Sequence, residues 1–240
     1  MELGFRPSGL TQESFNNMVT GAGALYFGID LSGVTASTTA REFASLLQEA
    51  TRDNKALGAT VGGITTALVP LKRQIEVDDL PAPIAASTVQ DGWESATIAT
   101  TIREITKENI DRVIATSFVD ESTGAVMFGT RLLPKHFEQT LVWAAARIDG
   151  GILAFVLDGA LNTEGFTVTS QSQNEGTIAV TFAGHLRDLA DIERGVAPLR
   201  AYFFAADGAD DGGTDGAAPV AAATAKAGKS DLPKMPEVRG

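Results

Sequence analysis

The sequence predicts a mainly β fold: an antiparallel sandwich or barrel with one or two helices on a face or edge. Three observations carry that expectation. Several segments alternate apolar and polar residues with period two. Turn dipeptides separate apolar runs at hairpin spacing. Only two places combine a helix start signal with apolar residues at helical spacing. The 240 residues, 44% of them hydrophobic and 20% charged, with 25 glycines and no cysteine, suffice for one sizeable core or two small domains.

Taken in order, Gly21-Ala22-Gly23 lacks the third glycine of a dinucleotide loop and reads as strand entry or close backbone approach. Thr39-Ala40-Arg41-Glu42 is a capping box, followed by Phe43, Leu46, Leu47 and Ala50 along one helical stripe. Gly58-Ala59-Thr60-Val61-Gly62-Gly63 has the glycine spacing of a phosphate loop, but Ile64 stands where the lysine must follow. A turn leading into a strand is the better reading. From Arg73 to Asp78, Ile75 and Val77 alternate with Gln74, Glu76 and Asp78. From Ser95 to Arg103, Ala96, Ile98 and Ile102 alternate with Ser95, Thr97, Thr101 and Arg103. Thr106 caps a shorter helix whose stripe is Ile110, Val113 and Ile114.

Thr140 to Ile148 and Ile152 to Leu157 flank Asp149-Gly150, a strong hairpin signal. Both arms are apolar on both faces, more than a half-exposed sheet needs. That surplus points to self-association. Phe166 to Ser172 and Thr177 to Ala183 form a second hairpin across Gln173-Asn174-Glu175-Gly176, with Phe166, Val168, Ile178, Val180 and Phe182 facing inward. Leu199 to Phe204 is the last strand.

After Phe204 the composition changes. The 36 residues from Ala205 to Gly240 include 10 Ala, 6 Gly and 3 Pro, with no aromatic residue. They read as a low-complexity arm without a core. The net charge of −11 makes the chain a poor general binder of nucleic acid. The longest charge-free stretches, Ser14 to Ile29 and Ala56 to Leu71, run 16 residues and are broken by glycine, asparagine or threonine, so no membrane span is expected.

Chemistry is sparse. His136 and His185 are the two histidines, and no nucleophile elbow accompanies them. Asp207-Gly208-Ala209-Asp210-Asp211-Gly212 resembles a calcium loop with Ala209 where a ligand oxygen is needed, and reads as a solvated acidic linker. Glu76 and Asp78 share a polar strand face and point at water rather than forming a general acid–base pair. No catalytic residue, cofactor or metal is expected.

Several segments read together resemble the major tail protein, or tail tube protein, of long-tailed bacteriophages. They are GAGALYFG from Gly21 to Gly28, the run from Leu57 to Ile84, and TVQDGWESATIATTIREITKENIDRVI from Thr88 to Ile114. ALNTEGFTVTS around Gly165, GTIAVTFAGH and PLRAYFF follow. Their order and spacing carry the resemblance, over most of residues 20 to 204. It implies a β-sandwich or barrel of the tail tube type with one or two flanking helices, and no enzymatic activity. Six copies would close a ring, and rings would stack into a tube around a tape-measure protein. Tail terminator and distal tail proteins would be further partners. Genomic DNA would be in transit, not specifically bound. The implied location is the virion tail, with assembly in the host cytoplasm and no membrane contact.

On that reading residues 1–20 are an N-terminal arm, 21–204 the tube domain with a helical insertion at 30–56, and 205–240 a C-terminal arm. The insertion and the C-terminal arm depart from the family pattern and are expected to order on assembly. The channel wall is expected to be the polar face of Lys72, Gln74, Glu76 and Asp78 with Ser95, Thr97, Thr101 and Arg103, and an acidic wall would repel DNA. Assembly contacts are expected from Phe43, Leu46, Leu47, Trp143, Phe155, Leu232 and Met235. The competing readings are a monomeric decoration or binding module, and the tube protein of a contractile tail or secretion-like system.

Overall fold

The computed structural model describes residues 12–75, 88–171, 174–186 and 188–206. Four α-helices and eleven strands lie among them, with a short 3-10 turn at Pro134–Phe137. They are α1 (Gln12–Asn16), β1 (Val19–Phe27), α2 (Ala40–Arg52), β2 (Thr60–Gln74), β3 (Thr88–Ile102), α3 (Lys107–Val113), β4 (Ser117–Val119), β5 (Val126–Phe128), β6 (Leu141–Arg147), β7 (Ile152–Leu157), β8 (Leu161–Asn162), β9 (Thr167–Gln171), β10 (Asn174–Ala183), α4 (Leu189–Glu193) and β11 (Leu199–Phe204). The fold is mainly β and antiparallel, with helices at its margins.

Two sheets make the body. The first has the order β1-β6-β7-β11; the second has the order β2-β3-β10-β8, with β9 also paired to β10. Between them lies a core of Leu25, Phe27, Leu57, Ala96, Ile98, Ile102, Leu141, Leu157, Ile178, Val180 and Phe182, closed at one end by Val113 of α3. A second core lies on the far side of the first sheet. There Phe43 and Ala50 of α2 meet Val142, Ala144, Ala154, Val156 and Phe204. The layers therefore run helix, sheet, sheet.

This layering accounts for the doubly apolar hairpin. On β6 the even positions Val142 and Ala144 face α2, while Leu141 faces the other sheet. Strands buried on both faces lose the polar alternation. The surplus read as a sign of self-association is absorbed within the chain, by a helix that covers the sheet. The insertion at 30–56 is likewise packed within the chain. Its capping box forms, with the Glu42 amide donating to Thr39 Oγ1 at 3.3 Å and the Thr39 amide to Glu42 Oε2 at 2.9 Å, and its apolar stripe supplies the second core. The chain leaving α2 then hydrogen-bonds the outer edge of β1, from the Phe27 amide to the Lys55 carbonyl and from the Leu57 amide to the Leu25 carbonyl.

The shorter helix starts at Thr106 as the sequence indicates, the Asn109 amide donating to Thr106 Oγ1. Asn109 is buried, and its side-chain amide donates to the carbonyls of Leu57 and Glu104 at 3.1 and 2.9 Å. One polar side chain thus ties α3 to the turn before β2 with its donors satisfied.

Three expectations need correction. Residues 12–20 are not an arm: α1 and the first residues of β1 pack on the β6–β7 turn, with Ile148 and Asp149 amides bonded to Met18 and Asn16 carbonyls. Val168 is 47% exposed although it pairs with the buried Ile178, because β9 is an edge strand with no strand beyond it among the described residues. Ile75 follows the end of β2 and is 42% exposed, so the alternation from residue 73 does not mark a core strand. Ala205 still accepts from the Ala40 amide; the C-terminal arm from residue 207 lies outside the described residues.

Candidate assembly surface

The second sheet presents one face to the core and one away from it. Buried Ala96, Ile98, Thr100 and Ile102 place the even positions of β3 inward. Strand pairing then assigns the outward face. Ser95, Thr97, Ala99 and Thr101 pair with Val69, Ala67, Thr65 and Val61 on β2. Thr97, Ala99 and Thr101 also pair with Ala183, Thr181 and Ala179 on β10, and Thr177 and Ala179 with Thr169 and Thr167 on β9. Every one of these side chains is small or β-branched, and none is charged. Gly62 and Gly63, both with φ near +80°, form a bulge that opens a groove of about 390 Å³ in this face beside Glu164 and Phe166.

The expected channel residues divide across the sheet. Ser95, Thr97 and Thr101 lie on the outward face, with Arg103 exposed just past the strand end. Lys72 and Gln74 do not join them. The two register shifts of the outer hairpin insert Glu94 and Asp91 into β3, leaving β2 regular from Ile64 to Gln74. By period two, Lys72 and Gln74 are in phase with Ile64 and Leu68, on the other face. Glu76 and Asp78 lie outside the described residues. The strand side chains of this face are uncharged rather than acidic, with Glu164 at the groove and Arg103 past the end of β3 beside them.

The expected contact residues are largely occupied. Phe43 is 1% exposed in the second core, and Leu46 and Leu47 pack against that core. Trp143 and Phe155 stack on one another with centroids 5.5 Å apart, and the Trp143 indole N–H donates to the Ala22 carbonyl at 3.0 Å. Leu232 and Met235 lie outside the described residues.

Other residues hold the exposed apolar surface. The outer part of β2 rises past the core with Leu68, Val69 and Leu71 between 36% and 47% exposed, beside Trp93. Arg73 Nε donates to Asp91 Oδ2 at 2.6 Å across this arm, a charge-assisted bond that holds the Asp91 carboxyl below its ordinary range. At the opposite edge, β4 and β5 form a separate small hairpin exposing Phe118, Met127 and Phe128 at about half their surface. Phe118 and Met127 are directly paired across it, while Phe128 reaches Phe166 at 5.9 Å. The sequence did carry this hairpin: Phe118-Val119 and Val126-Met127-Phe128 flank a turn ending in Thr123-Gly124. Asp120 fixes the turn by accepting from the Thr123 and Ser122 hydroxyls and the Ser122 amide, which hold its carboxyl below the usual range.

The histidines and glycine motifs play structural parts. His136 Nδ1 accepts from the Leu133 amide, and the His185 ring packs edge-on to Phe137. Gly58 to Gly63 leads into a strand, not the helix a phosphate loop requires. Among the described residues no helix is long and apolar enough to cross a membrane.

These features define a helix-covered antiparallel β-sandwich in which, among the described residues, one sheet face is uncovered and the sheet edges are unpaired. Neither a family model nor a curated protein sequence matches the chain.

Proposed function

We propose that this chain is a structural protein of the tail tube type, assembling into stacked rings whose channel is walled by the outward face of the second sheet. The observation that carries the reading is the direction of that sheet's two edges. β2, β3, β10 and β9 are each antiparallel to the next, so β2 and β9 run in opposite senses. Rotation about an axis lying along the strands would set β9 of one copy antiparallel to β2 of the next. The sheet then continues from copy to copy and closes, removing the edges.

The face that would turn inward suits a conduit. Along the strands, small neutral Thr and Ala side chains offer a passing polyanion no cation to hold, and Arg103 stands only past the strand end; each lysine repeated around a ring would add a salt-dependent phosphate contact. The first sheet is unsuited to that role, because α2 covers it. The sequence resemblance to tail tube proteins supports the same reading.

Negative-stain microscopy and sedimentation of the purified chain over a wide concentration range test it. Rings or tubes with a central channel are expected. A discrete monomer at every concentration, with no rings or tubes, would overturn it in favour of a decoration or binding module.

A further inference from the structure

We infer that the sheet passes from one copy to the next with a stagger, so that β9 of one copy lies against Ile64–Val69 on β2 of its neighbour, with Val168 opposite Leu68. This rests on the ring reading and names its copy-to-copy register. Strand pairing fixes the level of each edge. Thr60 and Val61 pair with Ile102 and Thr101, these with Ile178 and Ala179, and these in turn with Val168 and Thr167. The rest of β9 therefore runs past the start of β2. Copies joined at one level would share only short contacts, Thr167 and Val168 with Val61 and Thr60, and Leu161 and Asn162 of β8 with Ala67 and Thr66. The Gly62–Gly63 bulge would separate them.

Closure itself supplies the stagger. Strands of a closed sheet slope at about 35–45° to its axis, so four strands about 4.8 Å apart advance the next copy by roughly 13–19 Å, about four to six residues. Side chains keep their face only if the displacement is even. The larger even value sets Thr169 opposite Ala67 on the outward face and the exposed Val168 opposite the exposed Leu68 on the other. The backbone phase agrees. The Gly184 amide bonds the Ala96 carbonyl, so even residues of β3 turn to β10 and odd residues turn to β2. By alternation the N–H and C=O groups of Thr66 and Leu68 then turn to the open edge of β2, and those of Val168 to the open edge of β9.

The direction of the advance follows from chirality. Val61 faces outward beside Thr101, and the Arg103 amide donates to the Ala59 carbonyl, so β2 residues of this parity turn their backbone groups to β3. In an upward strand of L-residues, a side chain aimed at the viewer leaves its own N–H and C=O pointing right. Seen from the core with β2 upward, β3 is therefore to the left and β9 leftmost. Right-handed strand twist makes a closed sheet slope up to the right when seen from outside. With the outward face turned to the channel, the copy beside β2 is raised, and its β9 moves up onto Ile64–Val69. With that face outside the ring, the same slope would carry β9 clear of β2.

The chain has no cysteine, so introduced pairs report the register. Ala67 and a neighbour's Thr169 would form a non-hydrogen-bonded pair with Cα atoms about 4.5 Å apart, a spacing that a disulfide accepts. Within one chain they lie on opposite edges of the sheet and cannot bridge. Chains carrying Ala67→Cys and chains carrying Thr169→Cys would be mixed, assembled and mildly oxidised. A disulfide dimer containing one of each is expected, in about tenfold or greater excess over Thr65→Cys with Thr169→Cys, the smaller stagger, and Val61→Cys with Thr167→Cys, the level joint. On wild-type assembly the Leu68 and Val168 amides should slow in hydrogen exchange by about tenfold or more. Rings that link at either other pair instead, or at none, or that leave the Leu68 amide unchanged, overturn the register and leave the ring reading standing. A wild-type chain that never assembles overturns both.

Discussion

Phe43 of α2 stacks on Phe204 of β11 with ring centroids 4.1 Å apart and planes 18° from parallel. Tyr202 continues the stack, its ring 5.9 Å from Phe204 and nearly coplanar in orientation. One aromatic column thus fastens the inserted helix to the last strand, joining segments more than 150 residues apart in sequence. It converts a doubly apolar sheet from an exposed liability into the middle layer of the molecule.

Phe43→Ala removes the centre of that column and leaves a cavity that the rigid sheet beneath cannot fill. A loss of about 3–5 kcal/mol is expected, as for other buried phenylalanines. Chemical denaturation should show it as a lower midpoint with little change in slope. Leu46→Ala, at the half-buried margin of the same core, should cost clearly less.

Gly23 is a second point where backbone geometry is decisive. Its φ is +71°, and an added Cβ would lie 2.7 Å from the Ala144 carbonyl oxygen and against the Trp143 indole. Gly23→Ala therefore meets both a backbone penalty and a clash with a ring already bonded to the Ala22 carbonyl. A destabilisation of about 1–3 kcal/mol is expected, with a change in tryptophan fluorescence as Trp143 is displaced. Gly21→Ala shares the positive φ but meets open space, and should cost less and leave the fluorescence alone.

Much of this fold was legible because local signals agreed with tertiary demands. Thr39 and Thr106 cap their helices, Asp149-Gly150 turns its hairpin, and Ala96, Ile98 and Ile102 face the core as alternation implies. What failed were inferences that needed knowledge of neighbours. Period two on β6 and β7 cannot reveal whether the second apolar face meets a helix or another subunit. Nor can alternation reveal bulges: Glu94 and Asp91 break the phase between the body of β3 and the outer hairpin, so alternation alone cannot put Lys72 and Gln74 on the same face as Thr97 and Thr101. For Phe118 and Met127 the only sequence signal is the Thr123-Gly124 turn between short apolar runs, because a strand of three residues is too short for periodicity to register.

The Asp120 turn gives the β4–β5 hairpin a pH signature. Hydroxyl donation from Thr123 and Ser122 keeps the folded carboxyl below its ordinary value of 3.8. A depressed carboxyl contributes its stabilisation above the unfolded pKa and loses it as the pH falls through the folded one. Hydrogen-exchange protection at the amides of Gly124 and Gly129, which bond Asp120 and Thr116 carbonyls, should stay constant from about pH 5 to 8 and fall below about pH 4. Asp120→Asn should lower that protection at neutral pH and remove most of its pH dependence. A wild-type profile flat down to pH 2.5 would show that the carboxylate does not hold the turn.

The assignment of the channel wall predicts a difference in chemical access between the two sides of the sandwich. Thr65 lies on the neutral outward face of β2, and Ser45 lies on the solvent side of α2; both are exposed. In the cysteine-free chain, Thr65→Cys and Ser45→Cys should react at similar rates with a small maleimide before assembly, since neither thiol is buried. After assembly Ser45→Cys should keep its reactivity toward a maleimide carried on a large polymer. Thr65→Cys should lose that reaction while still taking up the small reagent, because a narrow water-filled channel admits only the latter. Equal labelling of both positions by the polymer reagent on intact tubes would place the neutral face outside. The wall would then have to come from another surface, and the bare Thr and Ala of β2, β3 and β10 would need a different partner.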